Sequence, residues 1–192
     1  GPPRRRGHRG PGGAGRGPAL TPVRLYPTRR AVALAALGAP AALAVALAAP
    51  GLWGAAAAWV LMTAGLMLAD ALLAARPSRL ALTLTAPAVM GLGRPQAASL
   101  DAAFTGAAPR EIELALGVNA RLAAAPTRQR LRLGGGWGRA EISLTPQRRG
   151  DGRLEQVWAR WRGPLGLVWL QRTEAPDRAV AITPDVETVK EQ

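Results

Sequence analysis

The pattern of polar and apolar positions divides this chain into an uncharged run and an alternating region. From Ala31 to Ala69 no position is charged; Arg30 is the last charge before the run and Asp70 the first after it. The run is mostly Ala and Leu, broken by Pro50-Gly51, a helix-stopping pair suited to a tight turn. Ala31–Ala49 has 19 residues, which as a helix span about 28 Å, close to a hydrocarbon core of about 30 Å. A second apolar segment runs from Leu52 to Ala75, and Arg76-Pro77 stops it. The pattern predicts a two-helix transmembrane hairpin over residues 24–77, with helices near 31–49 and 52–75. A buried helix pair of a soluble protein would show a polar face, and none appears. A signal peptide would have a shorter apolar core with no second apolar segment directly after it. The first helix is weak alone. Val32, Leu34, Leu37, Leu43, Val45 and Leu47 together favour insertion by about 2–4 kcal/mol, and Gly38 and Pro40 subtract from this, so the two helices are expected to insert together.

After Arg79 the period changes. Leu80-Ala81-Leu82-Thr83-Leu84-Thr85 alternates strictly, as a half-buried strand does. Further short runs follow at 97–104, 111–118, 128–133, 139–144, 154–162, 165–172 and 179–183, separated by turn residues. These runs predict an all-β antiparallel sandwich, immunoglobulin-like, of about eight strands over residues 78–185. Val157, Trp158 and Trp161 cannot all face one side of a regular strand. Either some of these Trp side chains lie at an edge or interface, or the strand contains a bulge.

Charge adds an orientation. The chain carries 25 Lys and Arg against 12 Asp and Glu, an excess of 13. Eight of the arginines and no acid lie in residues 1–30. Arg24, Arg29 and Arg30 precede the first helix, Arg76 and Arg79 follow the second, and the Pro50-Gly51 loop is uncharged. Lys and Arg collect on cytoplasmic flanks, so both termini and the β domain are expected in the cytoplasm. The absence of Cys agrees with a reducing compartment. Tyr26 at one end of the hairpin, and Trp53 and Trp59 at the other, suit the interfacial aromatic belt. Small residues spaced by four (Gly38/Ala42, Gly54/Ala58, Gly65/Ala69) allow close helix approach. Packing within the hairpin is a simpler use of them than dimerisation, and the oligomeric state is left open. Residues 1–23, of Gly, Pro and Arg with one His, read as a disordered tail that helps fix orientation. A nucleic-acid or anionic-lipid binder tethered by the membrane is the alternative function. No aromatic residue is interleaved with those arginines, which argues against nucleic acid.

Candidate chemistry is sparse. The single His, His8, is in the tail, and no Ser, Thr or Cys stands beside a base as nucleophilic catalysis requires. Gly134-Gly135-Gly136-Trp137-Gly138 lacks the Lys-Ser/Thr of a phosphate loop and reads as a hairpin loop. Asp151-Gly152 is a hairpin-turn pair. Glu111 and Glu113 share one strand face, read as solvated. Asp70 is expected at the headgroup boundary, paired with Arg76. No enzyme site, metal site or cofactor is expected. Arg148 and Arg149 beside Gly150, and Trp158, Trp161 and Trp169 where exposed, are the candidate partner contacts.

Three segments taken together resemble a bacterial family designated domain of unknown function 58. They are Tyr26-Pro27-Thr28-Arg29-Arg30 before the hairpin, Leu144-Thr145-Pro146-Gln147-Arg148-Arg149-Gly150, and Trp161-Arg162-Gly163-Pro164-Leu165-Gly166-Leu167. The resemblance implies a membrane hairpin, a β-sandwich and a following von Willebrand factor A-like domain, working beside a MoxR-type AAA+ ATPase in assembly of other complexes. In that family the Pro-Leu-Gly-Leu turn is often preceded by Asp; here the position is Gly163. The chain stops at Gln192, before any A-like domain, so residues 186–192 are expected to begin a linker and the chain to be a fragment. The expected function is a non-enzymatic, membrane-anchored interaction scaffold whose partners are the lipid bilayer and that ATPase.

Overall fold

The structure is a computed structural model that describes residues 24–49, 51 and 53–183. The expectations for the tail and its His8, for Pro50, and for the linker at 186–192 lie outside the described residues. The elements are β1 (Arg24–Pro27), α1 (Arg29–Ala48), α2 (Trp53–Leu73), β2 (Leu80–Thr85), β3 (Val89–Gly91), β4 (Gln96–Phe104), β5 (Glu111–Val118), β6 (Leu122–Ala125), β7 (Arg128–Arg132), β8 (Trp137–Pro146), β9 (Gly150–Arg162), β10 (Val168–Glu174) and β11 (Arg178–Thr183).

The strands form two sheets. In the larger, β9 is central: β5 and then β7 pair along one side of it, and β10 and β11 share the other. β1 adds to β10 antiparallel, and β3 adds to β11 in parallel. The smaller sheet runs β2-β4-β8-β6. Alternate residues of both sheets meet in one core, including Leu100, Ile142 and Leu144 from the smaller sheet and Ile112, Leu114, Val157 and Val180 from the larger. This mostly-β, two-sheet arrangement is the expected sandwich. It has three strands beyond the eight apolar runs. β1 is exposed along its whole length and held by backbone pairing. β3 has three residues. β6 is Leu-Ala-Ala-Ala, with no polar contrast to read.

Of Val157, Trp158 and Trp161, Val157 and Trp161 point into the core and Trp158 lies half-buried on the opposite face; a bulge lies just before them. Gly117 pairs with Gln156 and Val118 with Leu154, so Glu155 is the extra residue. It reverses the alternation, and Leu154, Val157, Ala159 and Trp161 all point into the core. The turn expected at Asp151-Gly152 is instead part of β9; the chain reverses at residues 147–149, and Gly150 takes φ +112°. Gly152 is buried, and a Cβ there would lie 2.8 Å from a Leu122 methyl, so packing rather than turning explains that glycine.

The two helices pack on each other. Trp59, expected near an interface, packs on the neighbouring helix. It lies across α1 at Gly38, where a Cβ would fall 1.6 Å from the indole nitrogen. Among the described residues, one helical stretch, Trp53–Arg79, is long and apolar enough to cross a membrane by length and composition, and little of its most apolar part is buried. The division expected at residue 77 does not hold. β1 precedes the helices yet belongs to the larger sheet, so the helices are inserted between two strands of the sandwich.

Deleting Glu155 should turn one half of β9 inside out and abolish cooperative unfolding, because a one-residue slip exchanges the faces of a strand. Glu155→Ala should change stability by no more than about 0.5 kcal/mol. Near-UV circular dichroism of the full chain in detergent during heating distinguishes the two.

Candidate functional site

The site is where the base of both helices meets the turn between β9 and β10. That turn, residues 163–167, is closed by Gly166 N–H donating to Gly163 O at 3.0 Å and by Gly163 N–H donating to Val168 O at 3.0 Å. Its remaining N–H groups point at Asp70. The Asp70 carboxylate is fully buried. It accepts from Leu165 N (2.6 Å) on Oδ1, and from Leu167 N (2.6 Å) and Val168 N (2.9 Å) on Oδ2. Gly163 makes this approach possible, since a Cβ on it would stand 2.3 Å from Oδ1. Asp70 therefore does not pair with Arg76, which is exposed. Three main-chain donors use the carboxylate more fully than one flexible guanidinium would.

The start of α1 binds the same turn. Thr28 caps the helix, its Oγ1 accepting from Ala31 N at 3.3 Å, as the sequence predicts. The hydroxyl donates to Gly166 O at 2.8 Å, and Thr28 N–H donates to Leu167 O at 2.8 Å. Beyond α2, the fully buried Trp161 indole donates to Ala75 O at 3.0 Å and meets the edge of Phe104, 5.2 Å between centroids. Arg172 donates to Pro77 O at 2.6 Å and pairs with Glu174. Trp161 is thus an internal strut and is unavailable to a partner.

The outer face of the larger sheet is basic and aromatic. Arg130, Glu113, Arg160, Gln171 and Arg24 form one row across five strands. Glu113, expected to be solvated, is 7 % exposed and pairs with Arg160 at 2.8 Å and Arg128 at 3.4 Å. Burial pushes its carboxyl up, but Arg160 by hydrogen bond and charge, with Arg128 and Arg130, more than offsets this and holds it below its ordinary value of 4.5. Glu111 is exposed and pairs with Arg132 at 3.4 Å. The Trp169 ring lies under Arg160 and Arg162, at 4.9 and 4.6 Å from its centroid. A groove of about 640 Å³ opens between this face, the loop Ala107–Arg110 and the helix bases at Arg30 and Leu73.

Of the residues singled out in the sequence, Arg30, Asp70, Pro164, Leu165 and Gly166 come together here, with Arg29 beside them in the first turn of α1. Tyr26 is 43 % exposed on β1, across from Trp169. Trp53, at the start of α2, and Arg148, Arg149 and Gly150, in the β8–β9 turn, lie elsewhere and are exposed. Residues 134–136 form a loop as expected, with Gly135 and Gly136 at positive φ, whereas Trp137 and Gly138 begin β8. Sequence reasoning missed Gly163, the second role of Thr28 and the internal role of Trp161. The one signal for them was a lone acid closing an apolar run.

No family model matches this chain, and no curated protein matches it. Among solved structures, it is similar to a CARDB domain from Pyrococcus furiosus solved in complex with di-metal ions, at 14 % identity and a TM-score of 0.37 over 54 % of this chain and 87 % of that one. It is also similar to E. coli alpha-2-macroglobulin, at 19 % identity and a TM-score of 0.38 over 55 % of this chain and 7 % of that one. Among the described residues, no three His, Cys, Asp or Glu side chains gather as a metal site.

Asp70→Asn puts an amide NH₂ against a backbone donor and removes the charge. It should cost about 1.5–3 kcal/mol, or about 3–10 °C in the unfolding midpoint of the full chain in detergent; an unchanged midpoint would deny the carboxylate its structural role. Glu113 gives a pH dependence of definite sign. Its lowered value means that the stability it adds is complete above about pH 4.5 and is lost as pH falls through the folded-state value below that. The gap in midpoint between the native protein and Glu113→Gln should therefore be widest near neutrality and close in acid. A gap that widened in acid would reverse this assignment.

Proposed function

We propose that this chain is a non-enzymatic, membrane-anchored interaction module. In this reading α1 and α2 both cross the bacterial inner membrane as a hairpin, and both termini and the sandwich are cytoplasmic. The MoxR-type AAA+ ATPase implied by the family resemblance is the proposed partner, with the module acting in assembly of other complexes. One observation carries the reading: Asp70 and Thr28 tie the helix bases to a single turn, while the apolar side chains beyond them stand clear of the sandwich. Leu37 is 71 % exposed, Leu47 77 % and Leu61 72 %. So much contiguous apolar surface calls for a covering medium. Arg29, Arg30, Arg76 and Arg79 flank its near end, as a cytoplasmic interface requires. A rigid base suits a docking platform, because it gives a partner one orientation of the sandwich relative to the membrane. The exposed partner contacts in this reading are Arg148 and Arg149 at the far turn and the partly exposed Trp158 and Trp169 on the outer face.

Topology reporters test the anchor. A fusion after Gln192 should be active in its cytoplasmic form only, and a fusion inserted after Gly51 in its periplasmic form only. Periplasmic activity at Gln192 would overturn the orientation, and cytoplasmic activity at Gly51 would overturn the two-span hairpin.

A further inference from the structure

The groove at the helix base has a charge that nothing in the sandwich neutralises. Five arginines (Arg30, Arg110, Arg130, Arg160 and Arg162) line it, against Glu111 and Glu113. Both acids are already engaged, Glu111 by Arg132 and Glu113 by Arg160 and Arg128. Arg30, Arg110, Arg130 and Arg162 make no ion pair among the described residues. Arg162 is steadied by the Trp169 ring, and Arg30 reaches over the glycine-rich turn, its Nη1 3.5 Å from where a Gly166 Cβ would be. Two of the groove's walls are the first turn of α1 and the last residue of α2, Leu73. Resting on the membrane reading above, this puts the groove at headgroup depth, with an apolar helix leading away from it.

The geometry points to a binding site for one anionic glycerophospholipid. Its phosphate is held by Arg30, Arg110 and Arg162, whose guanidinium forks suit phosphate oxygens, and its acyl chains run along α2 past Leu73. The headgroup thereby joins sandwich to hairpin at the same place as Asp70, but by a contact that depends on lipid composition. A bulk electrostatic attraction would ignore where the arginines are; this site requires those at the groove.

The test uses the full chain reconstituted in phosphatidylcholine vesicles with and without phosphatidylglycerol, then extracted gently for native mass spectrometry. The native protein should retain one phosphatidylglycerol in preference to phosphatidylcholine. Arg110→Ala with Arg162→Ala should weaken retention about thirtyfold. Arg121→Ala with Arg153→Ala makes the same change in net charge toward the other end of β9, about 30 Å from Arg162 along the strand, and should leave retention unaltered. Equal losses in the two double variants would overturn the site in favour of diffuse attraction, and equal retention of the two lipids would also overturn it. So would displacement of phosphatidylglycerol by millimolar inorganic phosphate, which would make free phosphate the ligand. Alkaline extraction of the same vesicles separates the two readings. A chain released by alkali would overturn both, whereas a chain that stays embedded without lipid preference overturns the lipid site alone.

Discussion

The Asp70 carboxylate is the contact on which the arrangement of this molecule depends. A carboxylate in the last turn of a helix faces the negative end of the helix dipole, at a cost of about 0.3–1 kcal/mol, and its complete burial costs several kcal/mol more. Three hydrogen bonds from backbone N–H groups, each worth about 1.5–3 kcal/mol to a charged acceptor, are of the size needed to outweigh both. They do so because the β9–β10 turn presents its donors in a fixed array around a glycine that leaves room for the oxygens. Fewer donors, or a side chain at position 163, would leave the balance unfavourable.

That balance explains why the helices behave as an insertion. β1 leads into α1 through Thr28, and α2 leads into β2 through a segment pinned by Trp161 and Arg172. Both strands lie at the rim of the sandwich, β1 on the larger sheet and β2 on the smaller. The hairpin therefore leaves and re-enters the β domain at two fixed points that share one turn. Thr28, Asp70, Ala75 and Pro77 are each hydrogen-bonded to the sandwich at these points.

What could be read in advance follows from how locally each feature is encoded. The alternation of Leu80–Thr85, the two apolar runs and the Thr28 cap depend on neighbours within a few residues, and each appears where the pattern puts it. The spacing of Val157, Trp158 and Trp161 already put one of them off the core face, and Trp158 is that one; the bulge at Glu155 lies before all three and left no such mark. Asp70 stood out as an acid at the end of an uncharged run, but its partners are main-chain donors some 95 residues on, and a backbone N–H leaves no mark on the sequence. Arg76 was the obvious partner only because it was near. Glu113 was misread for a related reason. Its burial depends on Arg160 lying directly across from it, which is a matter of strand register. β1 has no buried side at all, so nothing in its side chains marks it as a strand.

Glu113 also decides where the positive charge of the outer face resides. Without it, Arg128 and Arg130 on β7 and Arg160 on β9 would be three like charges flanking β5, repelling one another with little preference for any direction along the sheet. One buried carboxylate shared by Arg128 and Arg160 offsets one of these three charges. Arg30, Arg110 and Arg162, at the end where the helices emerge, have no such ion pair among the described residues. Exposed charges act over about a Debye length, roughly 8 Å at physiological salt, so placement matters more than the total. Glu113, which also lines the groove, is engaged by Arg128 and Arg160 and leaves Arg30, Arg110 and Arg162 without an acidic partner at the helix base.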